Sequence, residues 1–183
     1  KWLLTDSPKE TYVEVCSGKG RHLIEHADWI HKYLANRRMF AFAGMGDTHQ
    51  RCPGFSGALT GVYAKELTRQ SIAEALRNRR MFATTGSRIV IDFRVNETFM
   101  GQQVRVQDDV CISFSVRTPR VIQRIDVFRD GENISTFKPE SQSIKDEFID
   151  NDCPEGWHYY YLAVVQEGEA PEFPYNMQIA EGP

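Results

Sequence analysis

The residues best suited to chemistry are Asp47 and His49, in the glycine-rich segment GMGDTH at residues 44–49. An aspartate and a histidine one residue apart can both turn toward one ion when the loop is extended. Carboxylate oxygen and imidazole nitrogen are ligands for zinc, manganese and iron. We therefore predict a divalent metal site (Zn, Mn or Fe) at Asp47 and His49. The alternative is that Asp47 caps a turn and His49 is an ordinary surface residue.

The predicted metal loop follows a short apolar run, residues 39–43, which reads as a buried strand. Ligands collect at the carboxyl ends of strands in α/β folds. We expect the loop to lie at the carboxyl end of this strand, with the two side chains within a few ångströms of one point.

The chain around this loop predicts a parallel α/β layer up to about Gly86. Alternation indicates strands at residues 11–16 and 59–64, and apolar residues at helical spacing indicate helices at residues 22–38 and 69–79. Thr68 is a plausible N-cap of the second helix. Strand and helix alternate here as they do in parallel α/β structures.

Beyond Gly86 the pattern changes to short alternating runs without helical spacing, which predicts an antiparallel β-sandwich. Asp130 and Gly131 predict a hairpin turn. The expected domains are residues 1–86 and 87–183, packed together. The predicted strands are residues 88–95, 110–116, 121–128, 134–137, 157–165 and 175–179.

A second constellation, His22, Glu25 and His26, spells the zinc-protease pattern H-x-x-E-H. On a helix the two histidines share a face, with the glutamate beside them. The alternative is a solvated helix face, and the helix is followed by no obvious third ligand.

Three further groups each have a functional and a structural interpretation. Glu14, near the end of the first strand, could face the metal site or form a salt bridge. Arg51 could bind a phosphate oxygen or be a solvated loop residue. Residues 157–161 (WHYYY) could form a sugar-stacking face, or simply alternate, with Trp157, Tyr159 and Tyr161 on one side of a strand.

The composition of the 183 residues is that of an ordinary globular protein, with 26% charged residues and a net charge of −3. No basic surface predicts a nucleic-acid partner, and no apolar run approaches the roughly 20 residues that span a membrane. The four cysteines lack zinc-ribbon spacing and are expected to be free thiols, and the alternative is two disulfides. We expect a soluble protein and favour a cytoplasmic location. A start at Lys1 without a signal peptide suggests a piece of a longer protein.

Several motifs resemble one known family over about a third of the chain. They are GMGDTH at residues 44–49 with Pro53-Gly54, GALTGVYAKELTR at residues 57–69, EALRNRR at residues 74–80, FATTGSRI at residues 82–89 and NETFMG at residues 96–101. The segment is similar to the late part of proteins of the polymerase and histidinol phosphatase (PHP) superfamily. More narrowly, it resembles a metal-dependent hydrolase-like branch catalogued as a domain of unknown function of type 3604.

This resemblance implies an α+β protein in which the C-terminal part of a distorted (β/α)7 PHP-type barrel precedes the sandwich. It also implies that Asp47 and His49 are the last ligands of a two- or three-metal site. The H-x-H pair that such barrels carry on their first strand is absent from this sequence. The missing ligands would then come from the remainder of the same polypeptide.

Two functions follow as hypotheses. The first is a metal-dependent hydrolase, a phosphoesterase for a small-molecule substrate, in which this chain alone is inactive and contacts the rest of the polypeptide or self-associates. The second is a non-catalytic binding or structural module with a degenerate metal site.

Overall fold

The computed structural model describes residues 9–17, 27–47, 57–107 and 109–168. Within these ranges the chain forms two helices and ten strands. They are β1 (Tyr12–Ser17), α1 (Ala27–Ala35), β2 (Ala41–Met45), β3 (Leu59–Val62), α2 (Arg69–Arg77), β4 (Met81–Thr84), β5 (Val90–Val95), β6 (Thr98–Phe99), β7 (Val110–Arg129), β8 (Glu132–Phe137), β9 (Ser141–Asp150) and β10 (Tyr160–Gln166).

The first part of the chain contains two small sheets. Strands β1 and β2 pair in parallel, and α1 buries Ile30 and Leu34 against Val15. Strands β3 and β4 pair antiparallel and are joined by α2. Helix α2 begins at the predicted N-cap, because the side chain of Thr68 accepts a hydrogen bond from the Ser71 amide.

The second part is built around the long strand β7. Strands β5 and β10 pair with successive halves of one edge of β7, and β9 and β8 pair with the other edge. The predicted alternation of β5 is confirmed, since Ile91 and Phe93 are buried. The core under this sheet is formed by the inward residues of β5 and β7: Ile91, Phe93, Val110, Ile112, Phe114, Val116, Ile122, Ile125 and Val127.

Strand β7 replaces two predicted strands, and two irregularities let it run on for 20 residues. In its pairing with β9, the regular register is interrupted between Arg117 and Ile122. Pro119 lies in this interruption, where its lack of a backbone N–H costs no ladder hydrogen bond. In its pairing with β10, Gln123 has no partner and forms a β-bulge. The residues of β7 that face the core have even numbers before this bulge and odd numbers after it.

The two parts of the chain pack against each other through polar and apolar contacts. Trp157 Nε1 donates a hydrogen bond to the Leu34 carbonyl (3.0 Å). The Tyr63 hydroxyl donates to the Ile91 carbonyl (2.7 Å), and Phe82 packs against the core of the second part. A domain boundary at Gly86 stays a prediction.

The predicted fold class, an α+β protein with the last portion of a (β/α)7 barrel, is wrong. The described residues are mostly strand, contain two helices and no closed barrel, and form a β-sandwich-like fold. The physical reason lies in strand direction. A barrel requires every strand to run parallel to its neighbours, whereas α2 returns the chain into β4 antiparallel to β3. Neither described helix has the length and apolar character needed to span a membrane.

Candidate functional site

Asp47 lies two residues beyond the end of β2, at the carboxyl end predicted for it. Its side chain is exposed, and its φ of 44° places the backbone in the left-handed region. His49 lies outside the described residues, so the convergence of the two side chains on one point stays a prediction.

The end of β2 is fixed by Gly44. The Gly44 amide donates to Thr60 Oγ1 (3.0 Å), and the same hydroxyl donates to the Gly44 carbonyl (2.7 Å). A Cβ atom at this position would lie 2.3 Å from the Leu59 carbonyl oxygen and 2.9 Å from that of Thr84. Strand β2 therefore touches the β3–β4 sheet at its carboxyl end, and the loop that carries Asp47 leaves from a rigid point.

A group of small polar residues surrounds this point, and the site interpretation of the sequence missed it. Cys16 is paired with Gly44, and its thiol donates to the Thr84 carbonyl over 3.4 Å. Thr84 Oγ1 donates to the Ser87 carbonyl, and the Ser87 hydroxyl donates to the Gln166 side chain. The only sequence signal for this group was the ATTGS run of the family motif.

The described part of this region offers one strong metal ligand. Asp47 presents an exposed carboxylate, and Glu14 pairs with Ala43 on the neighbouring strand, with its Oε1 buried. Within residues 9–17, 27–47, 57–107 and 109–168, no three His, Cys, Asp or Glu side chains form a group that could hold a metal ion. The other sequence candidates lie outside those ranges: His22, Glu25, His26 and Arg51.

The aromatic run at residues 157–161 alternates as predicted. Tyr159 and Tyr161 face α1, where both rings stack on His31 at 6.0 Å, and Tyr161 also contacts Phe42 of β2. Tyr160 points the other way, against the core of the second part. The contacts with α1 make the run part of the interface between the two parts of the chain.

Burial adjusts the acid–base properties of this interface. It raises the pKa of Tyr161 to about 12, and burial together with the nearby Asp130 and Tyr161 raises that of Tyr159 to about 12. Burial also lowers the pKa of His31, an effect that Asp28 opposes. At neutral pH the two tyrosines are therefore protonated and His31 is uncharged.

Comparison with known proteins gives a family and no function. Residues 24–118, more than half of the chain, match the family described as "Protein of unknown function (DUF3604)". An uncharacterized protein of Chlamydia muridarum is 29% identical over 75% of this chain and 24% of its own length. One from Chlamydia pneumoniae is 30% identical over 63% of this chain and 22% of its own length.

The chain thus spans about a quarter of the length of the curated relatives it matches. No solved structure matches it. The predicted membership of the PHP superfamily is wrong, because no PHP family matches the chain. The family match stands on more than half of the sequence, and the chain belongs to the DUF3604 family of proteins of unknown function.

Proposed function

We propose that Asp47 and His49 are ligands to a divalent metal ion, zinc, manganese or iron, in a hydrolase that cleaves phosphoesters. The observation that carries this proposal is the position of Asp47. Its exposed carboxylate follows the end of the buried strand β2, which Gly44 fixes against β3 and β4. Carboxylate and imidazole together suit these three metals.

The chain supplies some, but not all, of the ligands that such a metal site needs. A hydrolytic metal ion takes about three protein ligands and keeps one position for water, and this loop offers two. Further ligands from the remainder of the polypeptide, or from a second copy of the chain, are part of the proposal. The curated relatives, about three times as long as this chain, have room for them.

The metal, when bound, would lower the pKa of a water molecule and polarise a phosphoryl oxygen. The residues of this chain have two roles in the proposal. Asp47 and His49 bind the ion, and the hydrogen bonds between Gly44 and Thr60 hold the strand from which the loop departs.

Metal titration of the 183-residue chain tests the proposal. We expect weak, saturable binding of zinc and manganese that disappears in Asp47→Ala and in His49→Ala. The matched control is Asp152→Ala, which removes an exposed carboxylate from the loop after β9 and should leave binding unchanged. Inorganic phosphate should bind only when the metal is present.

Metal binding that survives both Asp47→Ala and His49→Ala would contradict the proposed ligands. Absence of saturable metal binding by the wild-type chain would instead favour the alternative function, a non-catalytic binding or structural module with a degenerate metal site.

A further inference from the structure

Strand β10 has one uncovered edge in the part of the chain that the structure describes. It pairs with β7 along one edge, and no described strand pairs with the other. The Asp130 amide donates to the Tyr159 carbonyl (3.0 Å), so the backbone groups of Tyr159 point to the side of β7. Because backbone groups alternate in direction along a strand, the amides of Tyr160, Leu162 and Val164 point to the uncovered edge. They offer a template for a further strand.

The uncovered edge borders a large apolar cleft. This cleft has a volume of about 1150 Å³ and lies between the two parts of the molecule. Every residue of β10 lines it, although successive side chains point to opposite faces of the strand. A cleft that touches both faces of β10 runs along the edge that β7 does not cover. Its walls include apolar residues that pack against the core of the second part: Ile89, Leu162 and Val164.

The chain turns at this edge as it leaves β10. The Glu167 amide still donates to the Val121 carbonyl of β7 (2.7 Å). Gly168 then has a φ of 76°, in the left-handed region that tight turns use, and it lines the same cleft. The chain therefore reaches Gly168 in a conformation that suits a return along β10.

Residues 169–183 lie outside the described residues, and their sequence suits the uncovered edge. The sequence predicts a strand at residues 175–179. Alternate positions in this region are apolar and would share one face of a strand: Phe173, Tyr175, Met177 and Ile179. The positions between them are proline, asparagine and glutamine. A strand with one apolar face matches an edge that borders an apolar cleft.

We propose that residues 173–179 return along the uncovered edge of β10 as an antiparallel strand and close the cleft with their apolar face. Residues opposite each other in such a pair share a face. The apolar positions therefore lie opposite Tyr160, Leu162 and Val164, which pack against the core. The same pairing directs the backbone of position 174 away from β10, and Pro174 has no N–H to leave unpaired. This inference does not depend on the proposed metal function.

Amide hydrogen exchange in the 183-residue chain, followed residue by residue by NMR, tests the proposal. In the proposed pairing, the amides of Tyr160, Leu162 and Val164 are hydrogen-bonded. We expect them to exchange about as slowly as the amides of Tyr161 and Ala163, which point to β7. Exchange at least about tenfold faster than that of these two neighbours would show an open edge and overturn the proposal.

Met177→Asp and Gln178→Asp form a matched pair, because each adds one negative charge to the same segment. Met177→Asp places the charge on the apolar face, and exchange of the edge amides should become about tenfold faster or more. Gln178→Asp places it on the opposite face and should leave their exchange within about twofold of wild type. Slow exchange of the Ile125 amide in the core shows that each variant is folded. Equal effects of the two substitutions, or no effect of Met177→Asp, would overturn the proposal.

A strand from a second copy of the chain is the alternative occupant of this edge. Exchange measured at chain concentrations about tenfold apart distinguishes the two, because binding between copies depends on concentration and pairing within one chain does not. We expect the same slow exchange of the edge amides at both concentrations. Protection that increases with concentration would assign the edge to a second copy and overturn the proposal.

Discussion

The hydroxyl oxygen of Tyr159 lies 2.9 Å from Nδ1 of His31, and this hydrogen bond joins α1 to the segment that leads into β10. The ring of Tyr161 stacks on the His31 ring, and a Cβ atom at Gly131 would lie 3.1 Å from it. Asp28, on the same helix, is the carboxylate that acts on it electrostatically. A titratable group therefore lies inside the contact between the two parts of the molecule.

Acid should weaken this contact. Burial lowers the pKa of His31 below its ordinary 6.5. A folded-state pKa below the unfolded one means that the unfolded chain binds the proton more readily. The stabilisation is complete above pH 6.5 and is lost as the pH falls through the folded-state pKa. The free energy of unfolding should fall there by at most about 1.4 kcal/mol per pH unit for one proton.

The comparison variant for this prediction is His31→Phe, which keeps a ring but cannot titrate. The quantity to measure is the free energy of unfolding of the wild type minus that of the variant, by urea denaturation from pH 5 to pH 8. This difference should decrease as the pH falls. A difference that stays constant across this range would show that His31 does not contribute to the acid sensitivity.

Gly44→Ala should be among the most damaging small substitutions in the first part of the chain. Its Cβ atom would lie 2.3 Å from the Leu59 carbonyl oxygen, and backbone cannot swing aside. We expect a loss of about 3 kcal/mol or more in the free energy of unfolding, at the upper end of overpacking effects. Gly61→Ala is the matched variant, since its Cβ atom would meet the side chain of Phe82, which can move. Equal losses in the two variants would contradict the backbone clash.

Removing Asp150 should cost far more stability than removing a comparable surface aspartate. Arg129 Nη1 lies 2.8 and 2.7 Å from the two Asp150 carboxylate oxygens, and the Asp150 side chain is only 4% exposed. Asp150→Ala leaves a largely buried guanidinium without its partner, and we expect a loss of about 3–5 kcal/mol. Asp92→Ala breaks an exposed pair with Arg94 and should cost at most about 1 kcal/mol.

A double replacement separates the ion pair from its surroundings. Arg129→Met combined with Asp150→Leu removes both charges and should recover much of the stability lost in Asp150→Ala. Chemical denaturation of the three variants measures this directly. A double variant no more stable than Asp150→Ala would assign the loss to a contact that both variants lack, such as the hydrogen bond from the Tyr160 hydroxyl to the carboxylate (2.9 Å).

The 183-residue chain on its own should bind metal weakly and should not hydrolyse phosphoesters. Two ligands on one loop leave an ion largely hydrated, whereas hydrolytic centres use about three. Metal analysis of the purified chain and phosphomonoesterase and phosphodiesterase assays with zinc and manganese test this. Tightly held stoichiometric metal, with turnover abolished by Asp47→Ala, would mean that the chain contains a complete site.

The sequence patterns correctly predicted the structural elements that depend only on residues close together in the chain. The alternation of β5, the N-cap at Thr68 and the turn at Asp130 and Gly131 each depend on a few neighbouring residues, and all three are confirmed. Strand β9 was missed because its residues are mostly polar and exposed, so its alternation is weak. Its pairing with β7 forms it, and such a long-range contact leaves little trace in the local sequence.

The same difference between local and long-range contacts explains which parts of the candidate site could be predicted from the sequence. The position of Asp47 after a buried strand followed from the apolar run at residues 39–43 and the glycines after it. The polar group around Gly44 did not, because Thr60, Thr84 and Ser87 come from separate strands and loops that the sequence does not show to be adjacent. Strand direction was equally hidden, since β3, α2 and β4 have the pattern of a parallel unit but pair antiparallel.

The β-bulge at Gln123 determines which single-residue deletions in strand β7 leave its inward residues facing inward. Inward residues lie at even positions before it and at odd positions after it, as Ile122 and Ile125 show. Deleting Gln123 would restore strict alternation and leave Ile125 and Val127 facing inward, with only the local twist of the bulge lost. Deleting Ser115, by contrast, would turn Val116 toward solvent. Of these two deletions, only that of Gln123 leaves the inside and outside of β7 unchanged.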